Sequence, residues 1–321
     1  MPPIRLLLAI PAFAFAAQVD AQSYPSKPVK IIVAFTPGSA TDIIARVLAD
    51  HFTRSFGQSF IVENKPGAGG ILGTEAAKNA PPDGYTLTAC SSGPFGINPA
   101  IYKTLPYDPI RDFEPISDLV LTPQTIVVGA QTPYKSLQHL VAAAKAKPGE
   151  IAYGSLGTGS TSHLTMEAFQ QAASVKMNHI PFKGGAEAQT QIMGGSFPVM
   201  SDTISGVLAQ VKAGKLRALG VAIPQRSPYL PDVPTIAEQG FPGFESVGWI
   251  GLCAPAKTPA AILDKLNAEV KRMLASPEAR AKIEQLAFTP VGDSRAEFTA
   301  FVKSEIAKWS KVAKDSGAKA D

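Results

Sequence analysis

"VKIIVAFTPGSATDIIARVLADHF" occupies residues 29–52. Its first third, 29–35, is apolar but for Lys30, the pattern of a largely buried strand. Its last third, 42–52, places Ile43, Ile44, Val47, Leu48 and Phe52 on one side of a helix. Between them lies "FTPGSATD" (35–42), a loop with a glycine but neither lysine nor arginine. Strand, short loop and amphipathic helix form the repeating unit of a parallel α/β sheet.

The unit recurs on both sides of a Pro-dotted stretch. A strand at 59–63, a turn "NKPGAGG", a helix at 71–79, a turn "PPDGY" and a strand at 86–90 follow the first helix. "YKTLPYDPIRDFEPISDLVLTPQ" (102–124) then interrupts the pattern. It resumes as strands at 125–129, 151–154, 176–182, 197–201 and 216–222, separated by helices at 136–146, 162–173, 186–193 and 204–213. A Pro/Gly-rich passage (223–245) leads to the apolar "VGWIGLCAPA" and three helical stretches, 259–274, 277–286 and 294–316. That last unit has too few strands for a domain of its own, so it completes the first. The expected architecture is two α/β lobes joined by a two-crossing hinge: 22–123 plus 246–321 as lobe 1, and 124–245 as lobe 2. Clefts between such lobes are favoured ligand sites.

Composition narrows the functional classes. The 321 residues are 45% hydrophobic and 17% charged, with net charge +4 and no run of five like charges. This is a globular balance without a nucleic-acid stripe or a polybasic membrane segment. At the N-terminus Arg5 precedes an apolar stretch to Ala17 that ends in small residues, the pattern of a signal peptide. Cleavage after Ala16 or Ala21 fits, with 1–21 preferred. The run is shorter than the roughly 20 residues of a spanning helix. A soluble, exported, periplasmic protein is expected. Cys90 and Cys253 both lie in apparent strands and read as two buried free thiols, although export permits a disulfide. The four histidines are scattered without ligand spacing, so no metal or cofactor is expected.

Three Gly/Ser/Thr-rich loops follow strands: 35–42, "SSGPFG" (91–96) and "GSLGTGSTSH" (154–163). The first and third lead into helices, whose N-termini present unpaired N–H groups and a partial positive charge to an anion. Gly38, Gly157 and Gly159 permit close backbone approach, and Ser39, Thr41, Thr158, Ser160 and Thr161 add neutral donors. Asp42 or Thr41 is expected to cap its helix, and Asp202 either caps the helix from Thr203 or faces a ligand. The phosphate fingerprints fail, because Gly214-Lys215 is followed by Leu216 and the glycines of "GAGGILG" are misplaced. A carboxylate fits the neutral donors better. Lys183, beside a glycine turn, is a cation that reaches either the cleft or the surface. Phe35 and Phe95 are candidates to admit an apolar body. A secreted serine hydrolase using Ser155, Ser160 and His163 is the alternative from another class, though G-x-S-x-G is absent around these serines.

The chain resembles the extracytoplasmic solute-binding receptors of tripartite tricarboxylate transporters, the Bug family. The resemblance rests on "YPSKPVKIIVAFTPGSATDIIAR", "VENKPGAGGILGTEAAKNAPPDGYTL", "YGSLGTGSTSHLTMEAF", "HIPFKGG" and "RSPYLPDVPTIAEQGFPGFE". It implies a type II periplasmic-binding-protein fold and a monomer that delivers a small carboxylate to integral-membrane transporter subunits. Output through a sensor kinase is an alternative. It also implies capture by Phe35, Thr36, Gly38, Ser39, Thr41 and Asp42 on the first lobe, and by Ser155, Gly157, Thr158, Gly159, Ser160 and His163 on the second. Ser91 and Ser92 lie at the family's remaining cleft loop. Two positions depart from the family pattern: Ser39 stands where "PGG" is common, and Gln191 where members often carry Asp.

Overall fold

The computed structural model describes residues 24–317 and 319; the expected leader lies outside them. The chain begins with β1 (Val29–Val33), α1 (Ala40–Phe56), β2 (Phe60–Asn64), α2 (Ile71–Lys78) and β3 (Thr86–Ser91), and continues through a wide helical turn (Ser92–Ile97) into α3 (Asn98–Ile101). β1 pairs in parallel with β2 and with β3, the outcome of joining strands through helices. α1 starts where Ser39 accepts a hydrogen bond from the Asp42 N–H and stops at Gly57 in the left-handed region. Its buried face (Ile44, Leu48, Phe52) packs on Val29, Ile31 and Val33. Each fully buried side chain of this kind contributes about 1.5–3 kcal/mol.

The Pro-dotted stretch hides the central element. β4 (Phe113–Gly129) is a single 17-residue strand. Pro115 lies at a register shift, and Pro123 is the last residue paired to the returning strand β9 (Val247–Pro255). Prolines are tolerated at such places because a bulge or a change of partner leaves no ladder donor to supply. From Gln124 onward β4 pairs instead with β7 (Val199–Thr203) and, on its other edge, with β8 (Leu216–Val221).

The second half adds α4 (Leu137–Ala146), β5 (Ala152–Ser155), α5 (Thr161–Ala173), β6 (Asn178–Pro181), α6 (Gly185–Met193) and α7 (Ile204–Lys212). The strand order is β2-β1-β3-β9-β4-β7-β5-β6. Leu137 and Leu140 of α4 and Met166 and Phe169 of α5 cover Ile126, Val128, Tyr153 and Val199. The return segment places β9 between β3 and β4. It then adds α8 (Ala260–Ala275), α9 (Pro277–Gln285), β10 (Thr289–Pro290) and α10 (Arg295–Ser316). Leu263, Leu266 and Val270 of α8 complete the first core.

The cysteines correct the expectation from sequence. Cys90 and Cys253 form a disulfide across the neighbouring strands β3 and β9, with Cα atoms 5.9 Å apart. Antiparallel register puts Cys90 opposite Gly251 and Cys253 opposite Thr88, a diagonal that two separate strand readings do not disclose. Phe95 also departs from expectation. It is buried against Tyr107 and Phe113 in the core and does not face the cleft.

Candidate functional site

A cavity of about 210 Å³ lies where the two halves meet. Its wall takes Ser39–Thr41 from the start of α1, Ser160–Ser162 from the start of α5, Gly185 and Ala186 from α6, and Thr203 and Gly206 from α7. Four helix N-termini therefore converge on one space. Ser91, Ser92 and Gly93 approach from the end of β3, and Thr122, Gln124, Trp249 and Ile250 from the strands β4 and β9 that cross between the halves. Among the described residues no lysine, arginine or histidine lines it, and Asp202 is the sole ionisable side chain in the wall. Any positive potential there comes from helix dipoles and N–H groups, not from a cationic side chain.

The loop 35–42 keeps its shape through Asp42, which lies behind the wall. Its carboxylate accepts from the Gly38 N–H at 2.9 Å, from Arg46 Nε at 3.0 Å and from Asn64 Nδ2 at 2.9 Å. Burial pushes this carboxyl up, but Arg46, Gly38 and Asn64 outweigh it and hold it below the usual range. The cap is Ser39, not Asp42 or Thr41: both types suit the position, and the turn at Gly38 (φ +81°) sends the aspartate backward.

The second-half loop is knitted internally. Ser160 Oγ donates to Gly157 O at 2.6 Å and accepts from the His163 N–H, while Ser162 Oγ accepts from the Leu156 N–H. His163 is buried, takes the Gly159 N–H on Nδ1, and stacks on His179 with centroids 4.0 Å apart. Burial, then the neighbouring imidazole, lowers His163 to about 3; burial lowers His179 to about 4. Ser155, fully buried, bonds to His179 Nε2 at 2.6 Å and not to His163. The triad imagined for a hydrolase is therefore not assembled from Ser155, Ser160 and His163.

Of the residues singled out from sequence, Phe35, Thr36, Gly38, Ser39, Thr41, Ser91, Ser92, Ser160 and Asp202 line this cavity. Gly157, Thr158 and Lys183 line a second one. Asp42, Ser155, Gly159 and His163 line neither and support the loops that do. Asp202 does not cap α7. Thr203 does, accepting from the Gly206 N–H, and Asp202 accepts from the Thr203 N–H at 2.7 Å and from Gln189 Nε2 at 3.1 Å. Burial raises Asp202 to about 6 against the pull of those donors. Sequence reasoning missed Thr122, Gln124, Gln189, Thr203, Trp249 and Ile250. The Gly184-Gly185 turn and the strand-to-helix step at Thr203 carried a readable signal for the helix starts, whereas the residues of β4 and β9 had none.

Of the four buried side-chain atoms left without a hydrogen-bond partner among the described residues, one belongs to a residue of the cavity wall. Ser91 Oγ is buried without a hydrogen-bond partner, and Ser91 lines the cavity. A hydroxyl so placed is costly unless something in the cavity completes it.

A family model described as "Tripartite tricarboxylate transporter family receptor" matches residues 44–318. The chain belongs to this receptor family. BugT of Bordetella pertussis (strain Tohama I) is 36% identical to this Bug-type chain over 320 residues, 98% of each protein. Among solved structures, R. palustris Rpa4515 with adipate is 33% identical with a TM-score of 0.90, covering 92% of this chain and 99% of that one. The periplasmic binding protein BugD is 34% identical with a TM-score of 0.87 and covers 92% and 99%. The fold is accordingly that of the two-lobed periplasmic solute-binding proteins, and members of the Bug family are binding proteins. Among the described residues no helix is long and apolar enough to cross a membrane.

Proposed function

We propose that this protein is a monomeric periplasmic receptor, not an enzyme, that captures a small carboxylate between lobes 22–123 plus 246–321 and 124–245. It then hands the ligand to the membrane subunits of a tripartite transporter. The observation that carries this reading is a cavity ringed by four helix N-termini, free of cationic side chains and holding an unpartnered buried hydroxyl. Backbone N–H groups and hydroxyls fit a carboxylate without a buried ion pair, which suits cargo that must be released. A relative's complex with adipate agrees with this class.

A thermal-shift screen of carboxylic acids against amines and phosphates tests it. Carboxylates alone should raise the melting temperature, by about 2.7 kcal/mol of stabilisation at a hundredfold excess over Kd. Shifts by amines or phosphates only would reject the reading. Ser91→Ala sharpens the test. Removing an unpaired hydroxyl should leave the melting temperature of the free protein unchanged or slightly higher, yet weaken carboxylate binding about tenfold. Unchanged affinity would take Ser91 out of the site.

The pH dependence follows from Asp202. Its carboxyl is neutral below about 6 and charged above. A ligand carboxylate in the same cavity favours the neutral acid, so binding takes up a proton. Affinity should rise as pH falls from 8 to 6, by about tenfold, and level off below. His163 and His179 stay neutral throughout this window. Calorimetry on wild type and Asp202→Asn checks this, and an equally sloped profile in the variant would refute the assignment.

A further inference from the structure

Beside the cavity the two lobes also touch through apolar side chains. Leu164, in the first turn of α5, is fully buried against Ile97 and Ile101 and against Trp309 and Ala313 of α10. Leu164 comes from the second lobe and the other four residues from the first. It follows three residues after Thr161, which lines the cavity. One turn of α5 therefore serves both the cavity wall and this contact.

Behind the contact lies Glu305, which is buried. Its Oε2 accepts from Trp309 Nε1 at 2.9 Å and from Trp249 Nε1 at 3.2 Å, and its Oε1 meets Lys308 Nζ at 3.1 Å. An indole N–H only donates, so a buried one needs an acceptor, and one ionised carboxylate oxygen has lone pairs for two. Trp249 belongs to the cavity wall. Its backbone N–H donates to Ser92 Oγ at 2.7 Å, and Ser92 is in the wall as well. Ser92 opens the wide turn 92–97, whose Gly96 lies against Trp309: a Cβ there would stand 3.2 Å from the indole Cδ1. The contacts form a ring, from Glu305 through Trp249, Ser92 and the turn to Trp309 and back.

We propose that Glu305 is a positioning residue that couples the cavity wall to the seating of the lobes. A single carboxylate oxygen holds Trp249 at the wall and Trp309 beneath Leu164. When Leu164 seats on Trp309, the ring is pressed into one arrangement, and Trp249 and Ser92 are fixed with it. When Leu164 lifts away, the same ring loosens. A hydrogen-bonded set with a shared acceptor responds as a unit, so a change at one end is felt at the other. The coupling belongs to the chain itself and holds whatever the cavity binds.

The test is hydrogen exchange on the free, full-length protein. Glu305→Leu removes the acceptor at similar volume, whereas Glu305→Gln keeps an acceptor oxygen for the indoles. In Glu305→Leu, exchange should quicken about tenfold at the Trp249 N–H and over 161–165, with β1 and α8 little changed. Glu305→Gln should stay within about threefold of wild type. Approached from the other lobe, Leu164→Ala should quicken the Trp249 N–H about threefold and expose indole emission to acrylamide; the chain has two tryptophans, and both are in the ring. Combining Glu305→Leu with Leu164→Ala should give less than the product of the single effects. Wild-type exchange over 161–165 in Glu305→Leu, quickening spread evenly through the first lobe, or equal effects of Gln and Leu would each overturn the proposal. Should Glu305→Leu fail to fold, Leu164→Ala decides: a Trp249 N–H that exchanges as in wild type refutes the coupling.

Discussion

Cys90→Ala together with Cys253→Ala should lower the unfolding free energy by about 2–5 kcal/mol, and reduction of the wild type should do nearly the same. The disulfide closes a separation of 163 residues, so the unfolded chain loses much of its freedom when it is intact. It also ties β3 to β9, the strand that returns from the second lobe, so its loss loosens the first sheet where the chain re-enters it. For a protein of this size the loss corresponds to about 5–10 °C in melting temperature. Both side chains are buried among Ile32, Trp249 and Phe298, so alanine leaves a small void as well. Comparing reduced wild type with the double variant separates void from cross-link. Identical melts with and without reductant would show that the bridge contributes nothing.

Gly159→Ala should weaken ligand binding by about a hundredfold with far less effect on folding. Gly159 has φ +80°, and a Cβ there would lie 2.3 Å from Asn98 Oδ1 on the opposing lobe. The backbone strain, about 1–2 kcal/mol, acts whether the lobes are apart or together. The clash acts only when they are together, so it raises the free energy of the liganded arrangement alone. Asn98 cannot easily turn aside, because its amide donates to Gly69 O and to the Tyr107 hydroxyl. Small-angle scattering should show the variant failing to contract when ligand is added, and Asn98→Ala in the same chain should restore part of the affinity. A single variant that binds normally would mean that the contact between Gly159 and Asn98 plays no part in closure.

The alternation of strands and helices was legible because each strand is a short apolar run and each helix has one apolar face, as in 29–52. β4 was legible only in its last five residues, since Pro115 and Pro123 are breakers by propensity and only the observed pairing shows that neither interrupts a ladder bond. The same blindness hid the side of the cavity built by the crossing strands. Thr122, Gln124, Trp249 and Ile250 come from strands that look like core, and they reach the cavity because those strands cross between the two halves beside it. Asp42 or Thr41 was expected to cap α1 for a related reason: Ser39 and Asp42 both suit a cap, and only the turn at Gly38 decides between them. The Ser155–His179 contact pairs residues 24 positions apart on neighbouring parallel strands, a proximity that local sequence does not encode.

The lack of a cationic side chain in the first cavity reaches beyond release. Ion pairs at a protein surface weaken as dissolved salt rises, whereas groups removed from solvent are screened far less. On the proposed function, helix N-termini buried between the lobes would hold a carboxylate with fixed dipoles that mobile ions do not enter to neutralise. A receptor built this way keeps its grip when the ionic strength around it swings, and a compartment that exchanges small ions with the outside world imposes such swings.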